Sequence, residues 1–205
     1  MNTKEHWQSL YESTSPDTVS WYRPHLEKSM EFIRSTDIGP GARIVDVGGG
    51  ASTLADDLLA EGYRNVAVVD IAESALAATR ARLGERAEKI DWITGDITRD
   101  VLPAQSIDFW HDRAVFHFLT SPRDRAAYRE QLLRCLKPGG FALIATFALD
   151  GPEKCSGLPT VRYDAASLLA ELGDAFEHAE EASELHEKPS GGVQSFMYCL
   201  CKRRV

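Results

Sequence analysis

No stretch of this sequence approaches the roughly 20 consecutive apolar residues that a membrane-spanning helix needs, and nothing in it reads as a transmembrane segment. Cysteine is sparse. Cys135, Cys155, Cys199 and Cys201 form no Cys-x-x-Cys pair, which argues against a zinc site or a redox dithiol. Positive charge is also short: 23 Lys and Arg stand against 31 Asp and Glu, a net charge of −8. The one basic cluster is Lys202-Arg203-Arg204. A nucleic-acid binder concentrates positive charge on a patch, so nucleic acid is not expected as a partner. Internal repeats and low-complexity linkers are absent, and 205 residues suit one domain with a proper core. The opening MNTKEHWQSLYE is polar with aromatics rather than a signal peptide, which predicts a cytoplasmic protein without a membrane segment. Disulfides are not expected there. Cys199 and Cys201, two apart, would share one face of a strand as buried apolar groups.

What is present is organised around RIVDVGGGASTL, residues 43–54. An apolar run ends in Asp46. Gly48, Gly49 and Gly50 follow, then Ala51 and Ser52, and a helical pattern begins at about Thr53. That order reads as strand, tight turn, helix. Glycine permits positive φ and close approach of a ligand. The helix start offers free N–H groups, which would suit an anionic or carboxylate-bearing ligand. Further apolar runs end in Asp70, in Asp96 and in the cluster His111, Asp112, Arg113. Strand tips ending in polar residues, with helical stretches between, describe the carboxyl edge of a parallel sheet, where ligands bind. The expected strands are 43–47, 66–70, 90–94, 107–111 and 141–149, followed by 176–185 and 194–201 as a hairpin through Gly191-Gly192. Helices are expected over 4–16, from about Pro24, and over 53–61, 73–83, 122–136 and 165–172. Residues 150–159 read as a turn-rich loop.

The series VDVGGGAS (45–52), VVDI (68–71), TGDI (94–97) and LKPGG (136–140) resembles the class I S-adenosylmethionine-dependent methyltransferase superfamily, in the family's order and spacing over roughly 40–150. Ser52 stands where the family usually has its third glycine. The resemblance implies a Rossmann-like α/β fold: a doubly wound, mostly parallel sheet with an antiparallel C-terminal strand pair. It implies a single domain over 1–205, with a helical lid over 1–38 and a cofactor-binding core over 39–205. It further implies S-adenosyl-L-methionine as cofactor. Asp46, Gly48, Gly50 and the turn to Ser52 would surround its methionine part. Asp70 would hold the ribose hydroxyls with Ile71 against the adenine. Asp96 would accept from the adenine amino group with Ile97 alongside. A nicotinamide-dependent oxidoreductase is the competing reading of the glycine turn, but no Tyr-x-x-x-Lys pair or other hydride-transfer set accompanies it.

Methyl transfer from a sulfonium needs little acid–base help, because the leaving thioether is neutral. The protein mainly aligns the reactants and excludes water. The acceptor is expected beyond the tips of the fourth and fifth strands. His111 is a candidate general base, Asp112 a candidate catalytic carboxylate, and Arg113 a clamp for a substrate carboxylate or a partner of Asp112. His117 is expected to pack on the sheet. The loop carrying Glu153, Lys154, Cys155 and Ser156 faces the same side. Cys155, in a polar context, is expected to be exposed and is the candidate soft or reactive thiol. Trp21 and Tyr22 are candidate lid residues against the substrate. No metal is expected. The expected acceptor is a small molecule, with sulfur, selenium or arsenic as candidate soft atoms. The alternative is a protein lysine, since SWY and GGGAS resemble eukaryotic lysine methyltransferases acting on elongation factor and citrate synthase. A third reading is cofactor binding without catalysis.

Overall fold

The computed structural model describes residues 3–99 and 101–205, so residues 1 and 2 of the expected lid lie outside the described residues. Two helices, α1 (Thr3–Ser13) and α2 (Glu27–Ser35), precede strand β1 (Arg43–Val47). Then come α3 (Leu54–Ala60), β2 (Asn65–Asp70), α4 (Glu73–Leu83), β3 (Ile90–Thr94), β4 (Ile107–Arg113), α5 (Pro122–Cys135) and β5 (Leu136–Phe147). The remainder is β6 (Lys154–Cys155), β7 (Leu158–Pro159), α6 (Ala165–Leu172), β8 (Phe176–Glu187) and β9 (Val193–Arg203). The main sheet has seven strands in the order β3-β2-β1-β4-β5-β9-β8. β1 to β5 run parallel and β9 and β8 pair antiparallel, so the expected α/β sheet is the observed one.

Both faces of the central strands are covered, which is why their sequences are apolar almost throughout. On one face Ile44, Val66, Val68, Phe109 and Leu143 pack against α2, α3 and α4 through Met30, Leu54, Leu58 and Leu76. On the other face Val45, Val47, Trp110 and Ile144 pack against α5 and α6 through Tyr128, Leu132 and Leu168. The reversal of strand order lies between β1 and β4, and a crevice opens there at the carboxyl ends of the strands.

Two expectations differ from the structure. β5 begins at Leu136 rather than 141. Leu136 pairs with Ile107 and Phe141 with Phe109, so Lys137-Pro138-Gly139-Gly140 bulges within the strand rather than turning into it. Gly139 takes φ +77° there, and proline is tolerated because a bulge frees the N–H position. The loop 150–159 contains the short hairpin β6–β7. Its turn is Ser156-Gly157, both at positive φ (49° and 78°), as a two-residue hairpin requires.

Candidate functional site

The glycine turn after β1 has no room for side chains. Gly48 sits at φ +66°, and a Cβ there would lie 2.0 Å from Val115 Cγ2. A Cβ on Gly49 would fall 2.2 Å from Asp46 Oδ2, and one on Gly50 2.4 Å from the Ala75 Cβ and 2.6 Å from Asp70 Oδ2. Gly48 N–H donates to Val69 O at 2.7 Å, tying the turn to β2. The Ser52 hydroxyl accepts from Leu54 N–H at 3.1 Å, so the residue in the third-glycine position bonds the first residue of α3.

Two strand-tip carboxylates, Asp46 and Asp70, face this turn, and Asp96, just past β3, lines the same crevice. Asp70 is buried. It accepts from Gly50 N–H (3.0 Å) and Ala72 N–H (2.8 Å). Burial pushes its pKa up to about 6, with the Asp46 charge adding to the rise and the backbone donors opposing it. Asp96 accepts from Thr98 N–H and Oγ1–H, and Ile71 and Ile97 line the crevice beside it. Asp46 is 2% exposed, and while its Oδ1 is bonded to His111, its Oδ2 is buried with no partner. An unpaired buried carboxylate oxygen is costly, so the site fits a ligand that brings a donor or positive charge to that atom. Asp46 thus adds a place for a cationic or donating group beside the turn expected to suit an anionic or carboxylate-bearing ligand. α3 is two turns long, opens with its own Asp56 and Asp57, and sits behind an acidic edge.

The triplet His111, Asp112, Arg113 does not form one cluster. Successive strand residues point to opposite faces. His111 and Arg113 face the crevice side, while Asp112 faces α5. There Asp112 accepts from Tyr128 O–H (2.6 Å) and Val115 N–H (2.9 Å) and is fully buried. Burial raises its pKa to about 6 against those donors. It does not line the crevice, so the structure contradicts its placement as an acceptor-side carboxylate. His111 lines the crevice but is 1% exposed with both ring nitrogens engaged. The β1–β4 register sets it opposite Asp46. A carboxylate only accepts, so Nδ1–H donates to Asp46 Oδ1 at 2.7 Å, while Nε2 meets Ser29 Oγ at 2.9 Å. A free general base is therefore not what the structure holds there. Arg113 pairs with Tyr198 O (2.8 Å), the Trp21 carbonyl (3.0 Å) and Glu184 (3.7 Å), not with Asp112, and its guanidinium lies 4.6 Å over the Phe196 ring. His117 packs on Phe147, and burial, reinforced by the Arg113 charge, lowers its pKa to about 3.

A roof crosses the crevice. α1 is fastened to the start of α4, where Gln8 Oε1 accepts from Ser74 N–H and Ser74 Oγ–H donates to the Gln8 carbonyl. Residues 20 and 21 are held from below: His186 Nε2–H donates to Ser20 O at 2.7 Å and Arg113 to Trp21 O. Trp7 meets Phe118 (5.1 Å) and Trp21 (5.8 Å) edge-on, and Tyr11 meets Trp21 at 6.3 Å. These rings, with Tyr22, line a cavity of about 210 Å³ that also reaches Asp46, Asp70, Asp96 and Arg113. Trp7, Tyr11 and Phe118 are among the lining residues that sequence reasoning missed; Trp7 and Tyr11 fall at helical spacing in the expected helix 4–16 and gave no other signal. Cys155 corrects another expectation. It is 7% exposed, under the roof near Ser20 Oγ (3.9 Å), and burial raises its pKa. The β6–β7 hairpin folds it inward, so it is a neutral buried thiol rather than an exposed reactive one.

A family described as a methyltransferase domain matches residues 44–140, the span from β1 into β5. The chain is 21% identical over 150 residues to the eEF1A lysine and N-terminal methyltransferase of Mus musculus, covering 70% of this chain and 21% of that protein. It is 27% identical over 134 residues to the ubiquinone/menaquinone biosynthesis C-methyltransferase UbiE of Roseobacter denitrificans, covering 64% and 51%. The chain thus spans about a fifth and about half of the lengths of these relatives. Among solved structures it is similar to that described for the conversion of a disulfide bond into a thioacetal group during echinomycin biosynthesis. There the TM-score is 0.79 at 17% identity, covering 99% of this chain and 93% of that one.

Proposed function

This chain has the class I S-adenosylmethionine-dependent methyltransferase fold and carries a methyltransferase domain, and on that premise we propose that it transfers a methyl group from S-adenosylmethionine to a small molecule. The observation that carries the reading is the buried, partnerless Oδ2 of Asp46 beside a turn where no side chain fits. When bound, the cofactor supplies an electrophilic methyl group on a sulfonium. The chain's own residues would hold it. Asp46 Oδ2 would receive the ammonium of the methionine part, Asp70 the ribose hydroxyls, and Asp96 the adenine amino group. Gly48, Gly50 and Ser52 would form the turn, with Ile71 and Ile97 beside the ring. His111, donating to Asp46 Oδ1, holds that carboxylate in place. The roof residues Trp21 and Tyr22, with Arg113 holding them from below, would exclude water around the transfer.

A small acceptor suits a cavity closed over by α1 and residues 19–23. Lysine transfer is the second reading, supported by the mouse relative, which is a lysine and N-terminal methyltransferase by name. The soft-atom version of the first reading loses the exposed thiol it expected, although the buried Cys155 does line the cavity. The proposal includes a cytoplasmic setting and one domain over 1–205. Among the described residues no helix is long and apolar enough to cross a membrane. The test is incubation of fractionated lysate with methyl-labelled cofactor. Label in the low-molecular-weight filtrate supports the proposal, and label on a protein band supports the lysine reading. In parallel, Asp46→Asn should weaken S-adenosylhomocysteine binding about tenfold in calorimetry, the worth of one charge-assisted hydrogen bond. Unchanged affinity would overturn the cradle assignment.

A further inference from the structure

We propose that Trp7, Trp21 and Phe118 form an aromatic wall that selects an uncharged, ring-bearing small molecule as the methyl acceptor. This rests on the methyl-transfer reading above and names the acceptor class of the same site. Trp7 meets Trp21 and Phe118 edge-on, one on each side, and all three rings line the cavity. Ala114, Val115 and Leu119 continue the same wall in apolar atoms. Aromatic faces bind other planar rings by offset and edge-on packing, with large area per side chain.

The charged groups at this end are already spent. Arg113 is committed to Tyr198, the Trp21 carbonyl and Glu184. Arg23 pairs with Glu27 and Glu184. No cation among the described residues lining this end is left for a carboxylate or phosphate, and exposed Asp124 stands at the rim. An anionic acceptor would lose its water and meet Asp124 at the rim instead of a partner. An ammonium acceptor must shed a proton before its lone pair can attack. The one imidazole facing the cleft among the lining residues has both nitrogens bonded, to Asp46 and Ser29. What remains is an acceptor whose nucleophilic atom already carries an available lone pair. That pair forms the bond to the methyl carbon. The carbon–sulfur bond would break with its electrons going to sulfur, leaving a neutral thioether and a cationic methylated acceptor, which departs as the cation or, where it carries a proton, loses that proton to water once the roof opens.

Three probes with one ring and three charges test this: 2-naphthol, 2-naphthoate and 2-naphthylmethylammonium. Each is titrated by calorimetry at pH 7 into the full chain loaded with S-adenosylhomocysteine. The naphthol should bind, and both charged probes at least tenfold more weakly. Trp7→Ala should weaken naphthol tenfold or more and Trp7→Phe should restore most of it, with S-adenosylhomocysteine affinity within twofold throughout. Phe118→Leu, which removes the ring but keeps an apolar side chain, should act in the same direction as Trp7→Ala. Tightest binding by the ammonium would overturn the proposal in favour of a cation held by the ring faces, as would equal binding of the naphthoate or indifference to both wall variants. Absence of S-adenosylhomocysteine binding in the wild-type chain would instead bring down the methyl-transfer reading, and this one with it.

Discussion

The two ends of the cleft are built on opposite principles. At the β1–β2 end, polar groups are left unsatisfied: Asp46 presents a bare carboxylate oxygen, and the glycine turn holds space open. At the β4–β5 end, the cationic and imidazole groups that face the cleft or hold its roof are used up. Arg113, His111 and His186 all spend their hydrogen bonds within the protein, two of them on backbone carbonyls of the roof. The first end is prepared to be completed by a ligand. The second is prepared to be closed over one. A group that already has its partners gives nothing to a polar guest, so shape and apolar contact set what that end accepts.

The largest effect should come from spoiling the open end. Gly50→Ala puts a Cβ against both Ala75 and Asp70 and displaces the carboxylate. S-adenosylhomocysteine affinity should fall about a hundredfold or more, some 2.7 kcal/mol, with the fold retained by circular dichroism. Near-normal affinity would mean the turn is not a cradle.

A smaller effect should come from pH. Asp70, raised to about 6 by burial, is protonated below that value in the ligand-free protein. If its ionised form receives the ribose hydroxyls, affinity should rise as pH climbs through 6 and be about tenfold weaker at pH 5 than at pH 7.5. Asp70→Asn should flatten the profile. The stability contribution of the same group has the opposite sign. The folded state keeps the proton to higher pH than the unfolded chain does, so this contribution is full below the ordinary carboxylate pKa and is lost as pH rises through 6. A calorimetric profile that is flat in the wild type would remove Asp70 from the binding site.

The smallest effect tests the closed end. Cys155→Ser should leave kcat and KM within about twofold, since the buried thiol is neutral and its contact with Ser20 is a weak hydrogen bond. A large rise in acceptor KM with normal cofactor affinity would restore the soft-atom acceptor and break the contrast between the ends.

The open end was legible in the sequence because its parts are local. A strand tip, a run of glycines and the next helix are neighbours in the chain, and the acids at 46, 70 and 96 each end a short apolar run. The closed end was not, for reasons that differ by residue. His111 and Asp112 are adjacent in sequence, which invites pairing them, yet the two-residue period of a strand sends them to opposite faces. The partner of His111 is Asp46, set by strand register across 65 residues. Cys155 sits among polar residues, but a two-residue hairpin turns it under the roof.

What the sequence determined by itself is the alternation of strands and helices and the chemistry of the strand tips, since both follow from local periodicity and turn formation. Only the tertiary structure decided which polar groups remain available. That depends on contacts such as His186 with Ser20, 166 residues apart, and Arg113 with Trp21, 92 apart. A side chain's hydrogen-bonding capacity is written in its identity, but whether the protein spends it or leaves it to a ligand is settled only when distant segments pack.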